Sequence, residues 1–446
     1  MQGRRIWAAC GSAVGLVLLA GCGKDAPAAR SGPSAAVATA MTVPAATAAA
    51  LVVGASASAT DAAATPAIPG FTLAVFPGAR SVAVAATESE RIVVAYGQDE
   101  GLYVARSEDG GRTFGDAVSA TGDRPVHVMP IERPAIAVGG GERVGVAWLE
   151  LPPDGNGGAV WYADSADGGR SFTSGRAVAS DDAGETTMVS AALDAAGDPV
   201  LTWLNGSALR FVRSVDQGGT FQEAQRIGDG ACECCQPHIV VRDGRVLIAY
   251  RSLASDRAKG YIRDLALIRS MNGGSSFEPV TPVSDDHWYL EACPIAGPSL
   301  AVRADEVFVA WMDGRAEPPG TLSRGDVWLA ASTNGGVTFG RNVRMNTDPT
   351  RHHTLPTIGL GPGGRVHAAW QAEGEGGRVL YHTVSDDRGL TFAPPVTIAG
   401  SADTTRGQPN MPTLTVSPQG RVALAWVDRK GANVATWTDA AGSGAR

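Results

Sequence analysis

The sequence predicts an all-β chain arranged as a seven-bladed propeller, and three observations predict it. Short runs rich in Val, Thr, Tyr and Trp alternate with period two between Gly and Asp turns, the pattern of half-buried antiparallel strands. A strand ending in an aromatic recurs seven times, at Tyr96, Trp148, Trp203, Tyr250, Trp311, Trp370 and Trp426. A turn motif, Ser-x-Asp/Asn-x-Gly-x-x-Phe, recurs six times: 107–114, 165–172, 214–221, 270–277, 332–339 and 385–392. One such unit is a small sheet that cannot bury its faces alone. Copies at a period of roughly fifty residues must pack on one another around an axis.

Taken in order, the chain opens with Arg4 and Arg5, an apolar run from Ala13 to Ala20, and Leu19-Ala20-Gly21-Cys22. A short charged start, a short apolar core and small residues before a cut predict a secretory signal over 1–21. The Leu-Ala-Gly-Cys tetrad resembles a bacterial lipobox. That resemblance implies diacylation of Cys22 and, with Gly23 rather than Asp following, an outer-membrane lipoprotein facing the periplasm. Residues 22–68 are mostly Ala with Pro, Ser and Thr, too poor in large apolar groups to offset their ordering entropy. They predict a flexible tether with a reach on the order of 40 Å. The propeller is expected over 69–446.

Within the repeat, 355–360, 365–370 and 379–384 are the three inner strands of one unit, and 385–392 is the outer turn. In the motif, Ser and Asp side chains accept turn amides, Gly takes a positive φ, and Phe plugs the gap between sheets. The third position is Asp109, Asp167, Asp216, Asn272, Asn334 and Asp387. The last unit has no such motif after Trp437. Residues 71–76, ahead of the first unit, are expected to supply its missing outer strand and close the ring.

The motif resembles the Asp-box, or bacterial neuraminidase repeat, of the sialidase-like propellers, across residues 80–440. Sialidases themselves have six blades, which is the alternative count. The resemblance implies ligands on the face opposite the boxes, built from loops between blades and between second and third strands. Family enzymes use three arginines on a carboxylate, a Tyr–Glu nucleophile and an Asp acid. Their Arg-Ile-Pro motif is missing from 81–85, and Arg133-Pro134 lacks the Ile and stands one repeat later. Arg251, Arg315, Arg351 and Arg406 are the other arginines expected on the ligand face, with Tyr289 or Tyr261 beside Glu291. None is fixed as catalytic.

Charge excludes some functions. The formal net charge is −8, and −10 once Arg4 and Arg5 leave with the signal, so no electrostatic case exists for nucleic acid or an anionic membrane surface. Contact with the membrane is expected through the lipid alone, and the chain is expected to be a monomer.

The ligand-face loops concentrate the reactive side chains. Four of the six cysteines remain after Cys10 and Cys22 are set aside: Cys232, Cys234, Cys235 and Cys293. His127, Met129, His238, His287, His352 and His353 lie in the same set of loops, as does a Trp288-Tyr289 platform. A bridge within 232–235 would be cramped, so at most one relaxed disulfide from this trio to Cys293 is expected. Alternatively, thiolates with imidazoles suit copper or zinc, with Cys232, Cys234, Cys235, His238, His287 and Cys293 as candidate ligands. Thiol redox chemistry is the third reading.

Two functional classes follow. One is an envelope binding protein whose ligand face takes a metal ion, a small ligand or a partner protein. The other is an exo-α-sialidase-type glycoside hydrolase acting on acidic sugars.

Overall fold

The computed structural model describes residues 51–52 and 68–439, apart from 127, 129–130, 151–157, 181–185, 257–259 and 402–408. The predicted signal, Cys22, His127, Met129 and Arg406 lie outside the described residues. Within the stretch predicted as a tether, Leu51–Val52 pairs with the outermost strand of the last blade.

Seven antiparallel sheets stand around one axis. Their innermost strands are Ser81–Ala86, Ala135–Val138, Thr186–Leu193, His238–Arg242, Ser299–Arg303, His352–Leu360 and Asn410–Val416. Blades 1 to 6 are each a four-stranded sheet, built from consecutive strands in all but blade 4. Blade 7 takes its fourth strand from the start of the domain: Thr72–Pro77 pairs antiparallel with Gly431–Thr438, from Thr72 opposite Thr436 to Pro77 opposite Gly431. This is the closure expected from residues 71–76, and it settles the count at seven rather than six. Ring closure pairs the strand edge that an open blade would expose.

Each second strand is buried on both faces, because a blade is packed between two neighbours. Trp203, Trp311 and Trp370, which lie within second strands, are fully buried. The Asp-boxes hold the opposite corner. In the second box Ser165 Oγ donates to Asp167 Oδ1 (2.6 Å) and accepts from the Gly169 amide (2.8 Å). Asp167 Oδ1 in turn accepts from the amides of Arg170 and Ser171. Gly169 sits at φ 86°, a conformation a side chain would strain. The box Phe residues pack across blade boundaries: Phe221 lies edge-on to Tyr162 at 5.5 Å and Phe277 to Phe211 at 5.0 Å.

Blade 7 has no box. Its corner is held by Asp439, which pairs with Arg365 (2.5 Å) and accepts from His367 Nε2 (3.1 Å), both from the second strand side of blade 6.

Blade 4 carries one addition that the repeat does not predict. Between its second and third strands a short hairpin, Ala254–Asp256 with Gly260–Ile262, rises from the ligand face. An isolated bridge ties Ile262 to Tyr289 of the following inter-blade loop.

Candidate functional site

The site grows from the end of the second strand of blade 4. Arg251 closes that strand and is 1% exposed. Its guanidinium donates to the carbonyls of Ala296 (3.1 Å), Arg263 (2.8 Å) and Met312 (2.7 Å), fastening two loops and the neighbouring blade to one point. A buried cation satisfied by carbonyls keeps its charge uncompensated, so an anion nearby is favoured.

Arg263, just beyond the hairpin, extends the arrangement. Its Nε donates to Leu290 O (2.9 Å) and its Nη1 to Cys232 Sγ (2.9 Å). The hairpin fixes that pose through Arg263 N to Trp288 O and Leu290 N to Tyr261 O.

Cys232 is buried, its amide bonded to Arg251 O. Its sulfur lies 3.2 Å from Cys235 Sγ and 3.6 Å from Cys234 Sγ. Its hydrogen bond with Cys235, with the Arg263 and Arg251 charges adding to that, pushes the Cys232 thiol down to about 6 against the opposing effect of burial. Cys235 is pushed the other way, well above the ordinary thiol value, by burial and by the sulfur it faces. At neutral pH the pair is therefore one thiolate and one thiol sharing a proton donor.

Cys234 is bonded to Cys293, with Cα atoms 6.5 Å apart, and the bridge joins the loops before blades 4 and 5. It is a single bridge from the trio to Cys293, the pairing the spacing allows. Cys232 and Cys235 are the free cysteines of the described residues.

The predicted ligand set is thus divided. Cys232, Cys234 and Cys235 are within 4.8 Å of one another. Cys293 joins them through the disulfide. His238 stands apart, its Nδ1 accepting from the Leu300 amide (3.1 Å), and burial together with the Arg133 charge pushes it down to about 4. His287 lies in a separate group with half-buried Asp264 and exposed Asp285. His353 is a packing residue: Trp370 Nε1 donates to its Nδ1 (2.9 Å), which leaves Nε2 to donate to Asp348 O (2.7 Å).

Trp288 departs from the expected exposed platform. It is buried beneath the loop with Arg251 5.3 Å from its ring, while Tyr261 on the hairpin is 42% exposed. The arginines expected on this face are engaged as well. Arg315 pairs with Asp313 and Asp286, and Arg351 with Asp348 and the carbonyls of Gly377 and Glu375.

Arg263 was missed by the sequence reading. Its signal was a cation two residues beyond Tyr261 in an insertion that breaks the repeat spacing of blade 4.

No family model matches the sequence, and no curated protein is significantly similar to it. Solved structures are similar in fold. An ulvan lyase of polysaccharide lyase family PL25, bound to -[GlcA(1-4)Rha3S]-, matches with a TM-score of 0.52 at 13% identity, over 80% of this chain and 95% of that one. The intramolecular trans-sialidase from Ruminococcus gnavus, in complex with oseltamivir carboxylate, gives 0.43 at 11%, over 82% and 96%. A Trypanosoma rangeli sialidase mutant displaying trans-sialidase activity gives 0.45 at 12%, over 70% and 55%. With six Asp-boxes in place and the ring closed at seven blades, the chain has a β-propeller fold similar to that of the ulvan lyase.

Proposed function

We propose that the protein is an envelope-anchored metal-binding propeller whose ligand face takes up Cu(I) between the sulfurs of Cys232 and Cys235. The observation that carries this reading is the buried thiolate–thiol pair, 3.2 Å apart, beside two guanidiniums. Soft sulfur donors select Cu(I). Charge favours the monovalent ion: it replaces the one proton held on Cys235, so the buried charge does not change on binding. Zinc would need four donors, and with Cys234 and Cys293 bonded to each other only two thiols remain. Lipid attachment at Cys22, read from the lipobox-like tetrad, would hold this face in the periplasm on a long tether.

The test is a Cu(I) titration of the full chain under anaerobic conditions against a competing chelator. Uptake of about one equivalent is expected. Cys232→Ser and Cys235→Ser should abolish it, while a Cys234→Ser/Cys293→Ser double variant should keep it. Arg263→Met should weaken it about 10- to 100-fold, as loss of an outer-shell partner does. Rapid oxidation of Cys232 with Cys235 and no copper uptake would replace this reading with a redox one.

A further inference from the structure

Four sulfurs meet at this site as two pairs of different exposure. Cys232 and Cys235 are free thiols, each 1% exposed, while the bridged Cys234 and Cys293 are half-buried. The two pairs touch: Cys232 Sγ stands 3.6 Å from Cys234 Sγ on one side and 3.2 Å from Cys235 Sγ on the other. Thiol–disulfide exchange begins with a thiolate attacking a disulfide sulfur, and here the nucleophile, the bridge and a second thiol are already in contact. Arg263 Nη1, 2.9 Å from Cys232 Sγ, favours the thiolate form of the attacking sulfur.

A bridge that served only to rivet two loops would be superfluous in this place. The loops before blades 4 and 5 are joined without it: Arg251, whose carbonyl accepts from the Cys232 amide, donates through Nε to Ala296 O (3.1 Å). Gly297 lies so close to the first loop that a Cβ there would stand 2.1 Å from Gln236 O. Cys293 therefore stays beside Cys234 when the bond between them opens.

We propose that the site carries out internal disulfide exchange, passing the bridge from Cys234–Cys293 inward to Cys232–Cys235. In the first step Cys232 Sγ bonds to Cys234 Sγ, the Cys234–Cys293 bond breaks, and Cys293 leaves as the thiolate. Cys235 then gives its proton to Cys293 and attacks Cys232 Sγ, and Cys234 leaves as the thiolate. One disulfide, one thiolate and one thiol stand on each side, so nothing is oxidised overall and no co-reactant is needed. The Cys232–Cys234 bridge spans one residue and is transient. Cys232 and Cys235 have two residues between them, and the fold already pairs their sulfurs. The product carries its two thiols at the half-exposed positions. This goes beyond the copper reading and does not depend on it.

The experiment uses the full chain, metal-free and under argon, with iodoacetamide as the trap and no reductant. Trypsin cuts after Arg226, Arg242, Arg269 and Arg303, so Cys234 and Cys293 fall on separate peptides, 227–242 and 270–303, joined by their bridge. Exchange should part these peptides, leaving label on Cys293 and a bridge inside 227–242 in mass spectra of the unreduced digest. In Cys232→Ser the cross-linked pair should part at least about tenfold more slowly, the loss of a nucleophile held in place. Should that variant not fold, Cys235→Ser stops the exchange after its first step and should give labelled Cys293 with a Cys232–Cys234 bridge. A cross-link that persists in the unmodified protein would overturn the proposal. So would equally fast parting in Cys232→Ser, or an unlabelled Cys293 in Cys235→Ser. With no metal present, failure of the exchange leaves the copper titration standing, and a failed copper titration leaves the exchange standing.

Discussion

Cys232 shows how far one residue's chemistry depends on its contacts. An isolated thiol ionises near pH 8.5. Here its sulfur is hydrogen-bonded to Cys235 and accepts from the Arg263 guanidinium, and the folded value falls to about 6. Stability linked to this shift is fully present above the ordinary thiol value and is lost as the pH falls through about 6. Following thiolate absorbance in the ultraviolet, we expect a midpoint near 6 in the native protein and a move toward the ordinary value in Arg263→Met. An unmoved midpoint would remove Arg263 from the account. Histidines act on the acid side too. His382, buried against His367 (3.2 Å), is pushed down to about 3 by burial, and His238 to about 4. Both bind protons more weakly folded than unfolded, so stability should decline as the pH drops below roughly 6.5. His382→Gln should flatten that limb in melting temperatures measured against pH.

At the scale of elements, the Asp-box and the blade 4 hairpin have opposite roles. The box is local: a Ser, an Asp and a Gly within five residues satisfy one another's turn, so its geometry repeats wherever the motif does. Ser165→Ala removes the acceptor of the buried Gly169 amide and should cost about 1–3 kcal/mol. The same change in a distant box should add to it, since the two share no partners. Neither should alter the titration of Cys232, and denaturant unfolding with parallel thiolate spectra would check both statements. The hairpin is not local. Its sequence has too few apolar residues to announce strands, and it is held by Tyr289 and Leu290 from another loop. That dependence explains why Arg263, the side chain it delivers to the thiolate, could not be found from the sequence.

For the whole molecule, closure is the central fact. Thr72–Pro77 pairs with Gly431–Thr438, a strand more than three hundred residues away, so the ring cannot shut until both ends of the domain are present. Removing residues up to 79 should expose the edge of Gly431–Thr438, lower the melting temperature and promote self-association, read by calorimetry and size-exclusion chromatography. Retention of a cooperative monomer would contradict this. Strand order and the six box corners were determined by the sequence alone, because period-two alternation and turn chemistry act between residues close in the chain, whereas the choice of seven blades over six was closed by the ring itself. The pairing of residues 71–76 with the last blade was also legible, since a missing strand and a spare one can be matched by count. Tertiary structure alone decided which cysteine meets which. It also decided that His238 and His287 stand away from the thiols, and that Trp288 turns inward. The physical reason is range: backbone hydrogen bonding within a blade is encoded locally, whereas a side chain's charge state and partners are set by loops that meet only after the ring has closed.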